Sequence, residues 1–185
     1  GRFSKTKAPM IVISAFAKLL EQHSAAELVM IGTDDGEGLF EASIMQARML
    51  GVEERVSFLG AQPAEVVRNE MSNASVYLQH SVTTPLENDK EGTPISVLEA
   101  MSTGLPVVAT KHAGIAEMIV DGETGILVDE YDVEAMSRQM LRLSEDSELR
   151  KRIGIKAAES VRSNRRITKN IELFSEMLDK HKLAP

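Results

Sequence analysis

Along most of this chain, short runs of β-branched and aliphatic residues alternate with longer amphipathic stretches, and each run ends in turn residues. No other feature restricts the fold as strongly. The runs 26–31, 55–59, 75–79, 106–109 and 125–128 read as buried strands, the first ending at Gly32 and the last preceded by the turn Asp121-Gly122. Helical periodicity is predicted over 9–21, 39–50, 64–71, 94–102, 115–120, 133–144, 147–160 and 167–181. In the second helix Ala42, Met45 and Met49 are expected to face a core, and in the last Ile167, Ile171, Phe174 and Leu178 form one stripe. Strands alternating with helices of this length imply βαβ units, hence an α/β, Rossmann-like doubly wound parallel sheet with helices on both faces.

With 185 residues and 43% hydrophobic content, the chain suits one domain with a full core. A formal charge of −7 with no long Lys/Arg run argues against nucleic acid as a partner, so any anion site must be local. Without cysteine, neither a disulfide framework nor a thiolate metal site can form. No apolar run approaches the ~20 residues of a membrane span. The chain opens on Gly1-Arg2 and reads as a piece of something longer.

Ligands of doubly wound domains bind outside the carboxyl ends of strands, and the polar stretch 80–92 follows such an end. It leads into Glu91-Gly92-Thr93-Pro94-Ile95-Ser96-Val97-Leu98-Glu99. Pro94 suits the first helical position and Thr93 the N-cap. The helix start offers unpaired N–H groups and a positive dipole end, a setting for phosphate. Gly92 lets a ligand approach. Two carboxylates would repel that phosphate unless they reach past it to neutral hydroxyls of the same ligand. A sugar nucleotide has that combination, with a hexose for Glu91, a diphosphate for the helix start and a ribose for Glu99. Other residues read more plainly. Asp34-Asp35 is a turn lacking further metal ligands in sequence, and Gly32, Gly36 and Gly38 have the wrong spacing for a dinucleotide fingerprint. His80 and His112 follow strands on the ligand-facing edge, and a hydrogen-bonded structural role is expected for both.

These segments together resemble the C-terminal donor-binding domain of retaining GT-B glycosyltransferases of family 4. Glu91 and Glu99 match the family's E-x7-E signature, and Ala100-Met101-Ser102-Thr103-Gly104-Leu105-Pro106-Val107-Val108-Ala109 continues it. Gly114, Glu117 and the run 121–128 match the family's glycine loop, its next glutamate and its turn before a short strand. Gly1-Arg2 and Lys7 match the glycine-arginine turn and following lysine of the family, with Ala8 where glycine is usual.

The resemblance implies that Glu91 binds donor-sugar hydroxyls, and that Arg2 and Lys7 hold the diphosphate with N–H groups around Thr93, Pro94, Ile95 and Ser96. Glu99 then binds the ribose, and the loop at Gly60 lies against the base. Glu91, Arg2 and Lys7 are the expected catalytic residues. Residues 1–185 are read as the nucleotide-sugar donor-binding domain, without its acceptor domain. The expected activity is hexosyl transfer from a nucleoside-diphosphate sugar to a saccharide or lipid-linked acceptor, in polysaccharide biosynthesis. No cofactor and no metal are expected. The expected location is cytoplasmic; association of the longer enzyme with the inner membrane face, and dimerisation of this piece, stay open. A sugar-nucleotide epimerase and a non-catalytic nucleotide-sugar-binding domain are the alternatives.

Overall fold

The computed structural model describes residues 1–34, 36–84 and 94–163. Five strands alternate with seven α-helices among them: α1 (Pro9–Leu20), β1 (Leu28–Ile31), α2 (Leu39–Met49), β2 (Val56–Gly60), α3 (Ala64–Asn73), β3 (Tyr77–Gln79), α4 (Ile95–Ser102), β4 (Val107–Thr110), α5 (Ile115–Met118), β5 (Ile126–Val128), α6 (Val133–Glu145) and α7 (Ser147–Ser163). The expected helix over 167–181 lies outside the described residues.

Every strand pair is parallel, as the alternation implies. The strands nevertheless form two sheets, β1-β2 and β3-β4-β5, so that β1 and β3 are both edge strands. In β4, Val107, Val108 and Ala109 are fully buried, as a strand covered on both faces requires. Val108 joins the core of α1 and α6, whereas Val107 and Ala109 join that of α4, α5 and α7. Alternate side chains of one strand thus hold the two helical layers together.

Helix boundaries follow local chemistry. Asp132 accepts the Ala135 N–H at 2.7 Å and starts α6, and Asp146 accepts that of Leu149 at 2.8 Å and starts α7. Arg150 donates to the carbonyls of Leu143 and Ser144 and closes α6. Gly154 packs α7 against the turn after α4, where a Cβ would lie 2.1 Å from the Gly104 carbonyl oxygen.

Two expectations need correction. Pro94 is the N-cap of α4 in extended backbone (φ −72°, ψ 113°), not its first helical residue. A residue that ends a loop in β geometry keeps the proline φ without entering the helix. Met45 and Met49 are 61% and 81% exposed, and α2 instead buries Ser43 and Ala47. Small inward side chains bring α2 close to α1, where Gln46 Nε2 donates to Ser14 Oγ at 3.1 Å.

No helix among the described residues is long and apolar enough to cross a membrane. The link into α1 is strained, because Ala8 is left-handed at φ 37°. Ala8→Gly is therefore expected to stabilise the chain by about 0.5–1 kcal/mol, relief of strain outweighing the entropy of an added glycine. A rise of ~2 °C or more in thermal midpoint would show it, and a fall would refute the strain.

Candidate functional site

The site begins with how residues 1–3 are held. The Gly1 amine donates to the Ile31 carbonyl at 2.7 Å, the Phe3 N–H to that of Thr33 at 2.7 Å, and Phe3 and Asp34 form a parallel bridge. Phe3 is 3% exposed. Its ring meets Phe40 of α2 edge-on at 4.9 Å, and Phe40 meets Phe58 of β2 at 5.9 Å, contacts worth about 0.5–1.5 kcal/mol each beyond burial. Gly32 is required beside this segment, since a Cβ there would fall 1.5 Å from the Gly1 carbonyl oxygen. Arg2 is thereby carried on an anchored backbone. Of the nearby lysines, Lys5 pairs with Glu37 at 2.8 Å, while Lys7 folds back beside Gly1.

Arg2 and Lys7 line a cleft of about 870 Å³ that also receives Gly1, His80, Ser96 and Glu99. Ser96 and Glu99 are three residues apart on α4 and so share a face. No side chain among the described residues caps the start of α4. Desolvation by the cleft wall raises the Glu99 pKa, opposed by the Gly1 amine and by Arg68. The lining of the cleft therefore includes two cations, the first turn of a helix and a carboxylate. That combination can bind an anion bearing hydroxyl groups.

Other expected residues lie elsewhere. Glu91, Gly92 and Thr93 are outside the described residues. Pro94 is buried and Ile95 half-buried at the start of α4. Gly60 ends β2 with φ 65°, its carbonyl taken by the Gly32 N–H at 2.9 Å, and it is not on the cleft wall. Asp34 accepts the N–H groups of Gly38 and Leu39, both at 3.1 Å, and so starts α2 as a turn residue.

Both histidines are structural, as expected, yet their partners had no sequence signal. Nδ1 of His112 donates to Glu130 Oε1 at 2.6 Å, and Glu130 Oε2 accepts the Thr83 N–H at 2.7 Å. Partial burial acts to raise the Glu130 carboxyl, but the bonds from Thr83 and His112 outweigh it and leave the pKa below its ordinary value. The Tyr131 N–H donates to His80 Nε2 at 3.0 Å, and the Tyr131 hydroxyl to the Thr83 carbonyl at 2.8 Å. Residues after β5 thus pin the loop after β3, the loop that leads toward Glu91. The bonds span separations of 18 to 51 residues, which no local pattern encodes.

The sequence profile described as "Glycosyl transferases group 1" matches residues 1–160. The chain belongs to that family. Among its relatives are the amylovoran biosynthesis glycosyltransferase AmsK of Erwinia amylovora, 33% identical over 78% of this chain and 35% of that protein. Another is the trehalose synthase of Pyrococcus horikoshii, 35% identical over 97% of this chain and 42% of that one. This group 1 chain spans 34–42% of the length of the curated relatives it matches. The solved C-terminal domain of a group 1 family protein (LpcC) from Francisella tularensis superposes with a TM-score of 0.77 at 26% identity, covering 89% of this chain and 82% of that one. HepE of Anabaena, solved with UDP-glucose, gives 0.75 at 26% identity over 93% and 47%. The glycosyltransferase fold read from the motifs is thus the fold of these neighbours.

Burial lowers the His80 pKa from 6.5 to about 4, against the opposing charges of Glu130 and Asp132. Between those values the unfolded chain binds a proton that the folded chain does not. Stability should therefore be insensitive to this group above pH 6.5 and fall as pH drops toward 4, by on the order of 3 kcal/mol in all. Urea denaturation at pH 7 and pH 4.5 should show a smaller drop in His80→Gln, and equal drops in the two chains would exclude His80 as the source.

Proposed function

We propose that this chain is the donor-binding part of a retaining glycosyltransferase that uses a nucleoside-diphosphate sugar. The observation that carries the reading is that Arg2, Lys7, Ser96 and Glu99 line a single cleft. Arg2 and Lys7 neutralise the diphosphate, Arg2 as a planar fork and Lys7 as a point charge. The first turn of α4 adds N–H groups, and Glu99 accepts hydrogen bonds from the ribose. Glu91 is assigned to the hexose hydroxyls, and Gly60, at the end of β2 and off the cleft wall, to a base that reaches beyond the cleft. The solved complex of HepE with UDP-glucose supports a donor of this class.

In the transfer, the bond between the anomeric carbon and the diphosphate oxygen breaks while the acceptor hydroxyl oxygen bonds to that carbon on the same face of the sugar. The acceptor proton passes to the leaving diphosphate. The two cations then act on charge that grows as the leaving group departs, where fixed electrostatics has most effect on rate. The scheme asks for no metal and no cofactor. A saccharide or lipid-linked acceptor is supplied by the rest of the enzyme, in the cytoplasm or at the inner face of the membrane. Polysaccharide assembly is the favoured setting, as for AmsK by its name.

Calorimetry of this chain with UDP, GDP and ADP should detect weak binding of at least one and no turnover of the corresponding sugar nucleotides. Arg2→Ala and Glu99→Ala should each weaken that binding about 10- to 100-fold, the loss of a charge-assisted hydrogen bond. Silence with all three diphosphates would defeat the reading. In the longer enzyme Glu91→Ala should cut transfer at least ~10-fold, and unchanged turnover would remove Glu91 from the site.

A further inference from the structure

We propose that Glu130 and Tyr131 are positioning residues for Lys7, acting through the loop of residues 80–84. The inference rests on the assignment of Lys7 to the donor diphosphate, and adds the device that fixes where this cation stands. Loops ordinarily run over the surface, where water serves their peptide groups. This one does not. His80, Ser81, Val82 and Thr84 are all buried, so the polar groups of the loop need partners within the protein. The partners come from segments far away in the chain. The Thr110 hydroxyl, at the end of β4, donates to the Ser81 carbonyl at 2.6 Å. The Val82 N–H donates to the Thr6 carbonyl at 2.8 Å. Thr83 is gripped at both of its peptide groups, its N–H donating to Glu130 Oε2 at 2.7 Å and its carbonyl accepting the Tyr131 hydroxyl at 2.8 Å.

Consecutive N–H groups of the loop are thus divided between two supports. That of Val82 goes to the turn that carries Lys7, and that of Thr83 to Glu130. The turn, Lys5–Lys7, buries no residue of its own, so packing does little to hold it. Its ion pair from Lys5 to Glu37 joins exposed side chains and holds weakly in water. The bond from Val82 to Thr6 ties the backbone of the turn to the buried loop. A point charge acts on a phosphate according to its distance, so loosening this turn weakens the site without removing any group that touches the donor.

The far support is built for precision. Glu130 Oε1 accepts from Nδ1 of the buried His112 at 2.6 Å, which fixes the carboxylate and so the second oxygen, the one that holds Thr83. Tyr131 has a left-handed backbone at φ 65°, which strains a bulky residue and which glycine adopts freely. What tyrosine offers there is its hydroxyl, since the residue is 48% exposed and the hydroxyl returns to the Thr83 carbonyl. Its N–H is bound as well, donating to His80 Nε2 at 3.0 Å. Strain of this kind persists where surrounding bonds over-determine it, and it collects where position matters. The line of support runs from His112 through Glu130, Thr83 and Val82 to Thr6, and so to Lys7.

The test is NMR titration of this chain with UDP, GDP and ADP. Glu130→Ala should weaken the diphosphate that binds about 10-fold and Tyr131→Phe about 3-fold, the sizes of a charged and a neutral hydrogen bond. Glu130→Gln, which keeps an oxygen for the Thr83 N–H, should recover most of the loss. On a Lys7→Ala background, Glu130→Ala should cost less than ~2-fold, because the cation it places is gone. Asp146→Ala removes the cap of α7, outside the line of support, and should leave affinity unchanged although it lowers stability. Without nucleotide, the Lys7 and Ala8 amides, bonded within the turn to Ser4 and Lys5, should exchange at least ~10-fold faster in Glu130→Ala and not in Asp146→Ala. An equal loss on the Lys7→Ala background, or an equal loss in Asp146→Ala, would overturn the proposal. If Glu130→Ala does not fold, Tyr131→Phe decides by the same comparisons. Failure of the unsubstituted chain to bind any of the three removes the donor reading and this proposal with it, whereas binding that Glu130→Ala and Tyr131→Phe leave intact overturns this proposal alone.

Discussion

The hydrogen bonds that lay residues 1–3 alongside the end of β1 are the interaction on which the site depends. They are short and few, and two other elements reinforce them. The Phe3 ring is clamped between α2 and β2, and Gly32 leaves space for the Gly1 carbonyl. Take that anchoring away and Arg2 becomes an ordinary surface cation on a chain of net charge −7. With it, Arg2 and Lys7 line the same cleft as Ser96 and Glu99 of α4.

The second constraint concerns Glu99 on the proposed donor site. A carboxylate near a phosphate costs free energy unless it bonds to something neutral. The wall of the cleft already pushes Glu99 toward its protonated form, so a ligand hydroxyl directed at it is more welcome than bulk charge. The loop after β3 is fixed by a separate set of bonds, in which Glu130 serves Thr83 and His112 together while Tyr131 serves His80 and Thr83. Each bond joins polar groups that are far apart in the chain, and together they give the loop's polar groups partners within the fold.

Much of the fold is legible in the sequence because it rests on periodicity. All five strands and the seven described helices are predicted, most with boundaries within two residues, since a buried parallel strand such as 106–109 must be continuously apolar and a helix must be amphipathic. The departures have one origin. Apolar side chains predict a core position for Met45 and Met49, yet the packing distance between α1 and α2 selects small residues. The φ of Pro94 permits a helical position, while its ψ of 113° keeps it in extended backbone as the N-cap. Arg2, Lys7, Ser96 and Glu99 all line one cleft, whereas the His80 and His112 partners, lying far apart in sequence, could not be read from any local window.

By itself, then, the sequence determined what depends on neighbours along the chain: which segments are strands or helices, that the strands run parallel, and which motif-bearing residues sit at carboxyl ends. The tertiary structure decided what depends on neighbours across space. It gave Lys5 to Glu37 and committed Glu130 to a loop 47 residues away. The physical reason is range. Backbone preference and hydrophobic period act over a few residues, whereas ion pairing and close approach are settled only when distant segments meet.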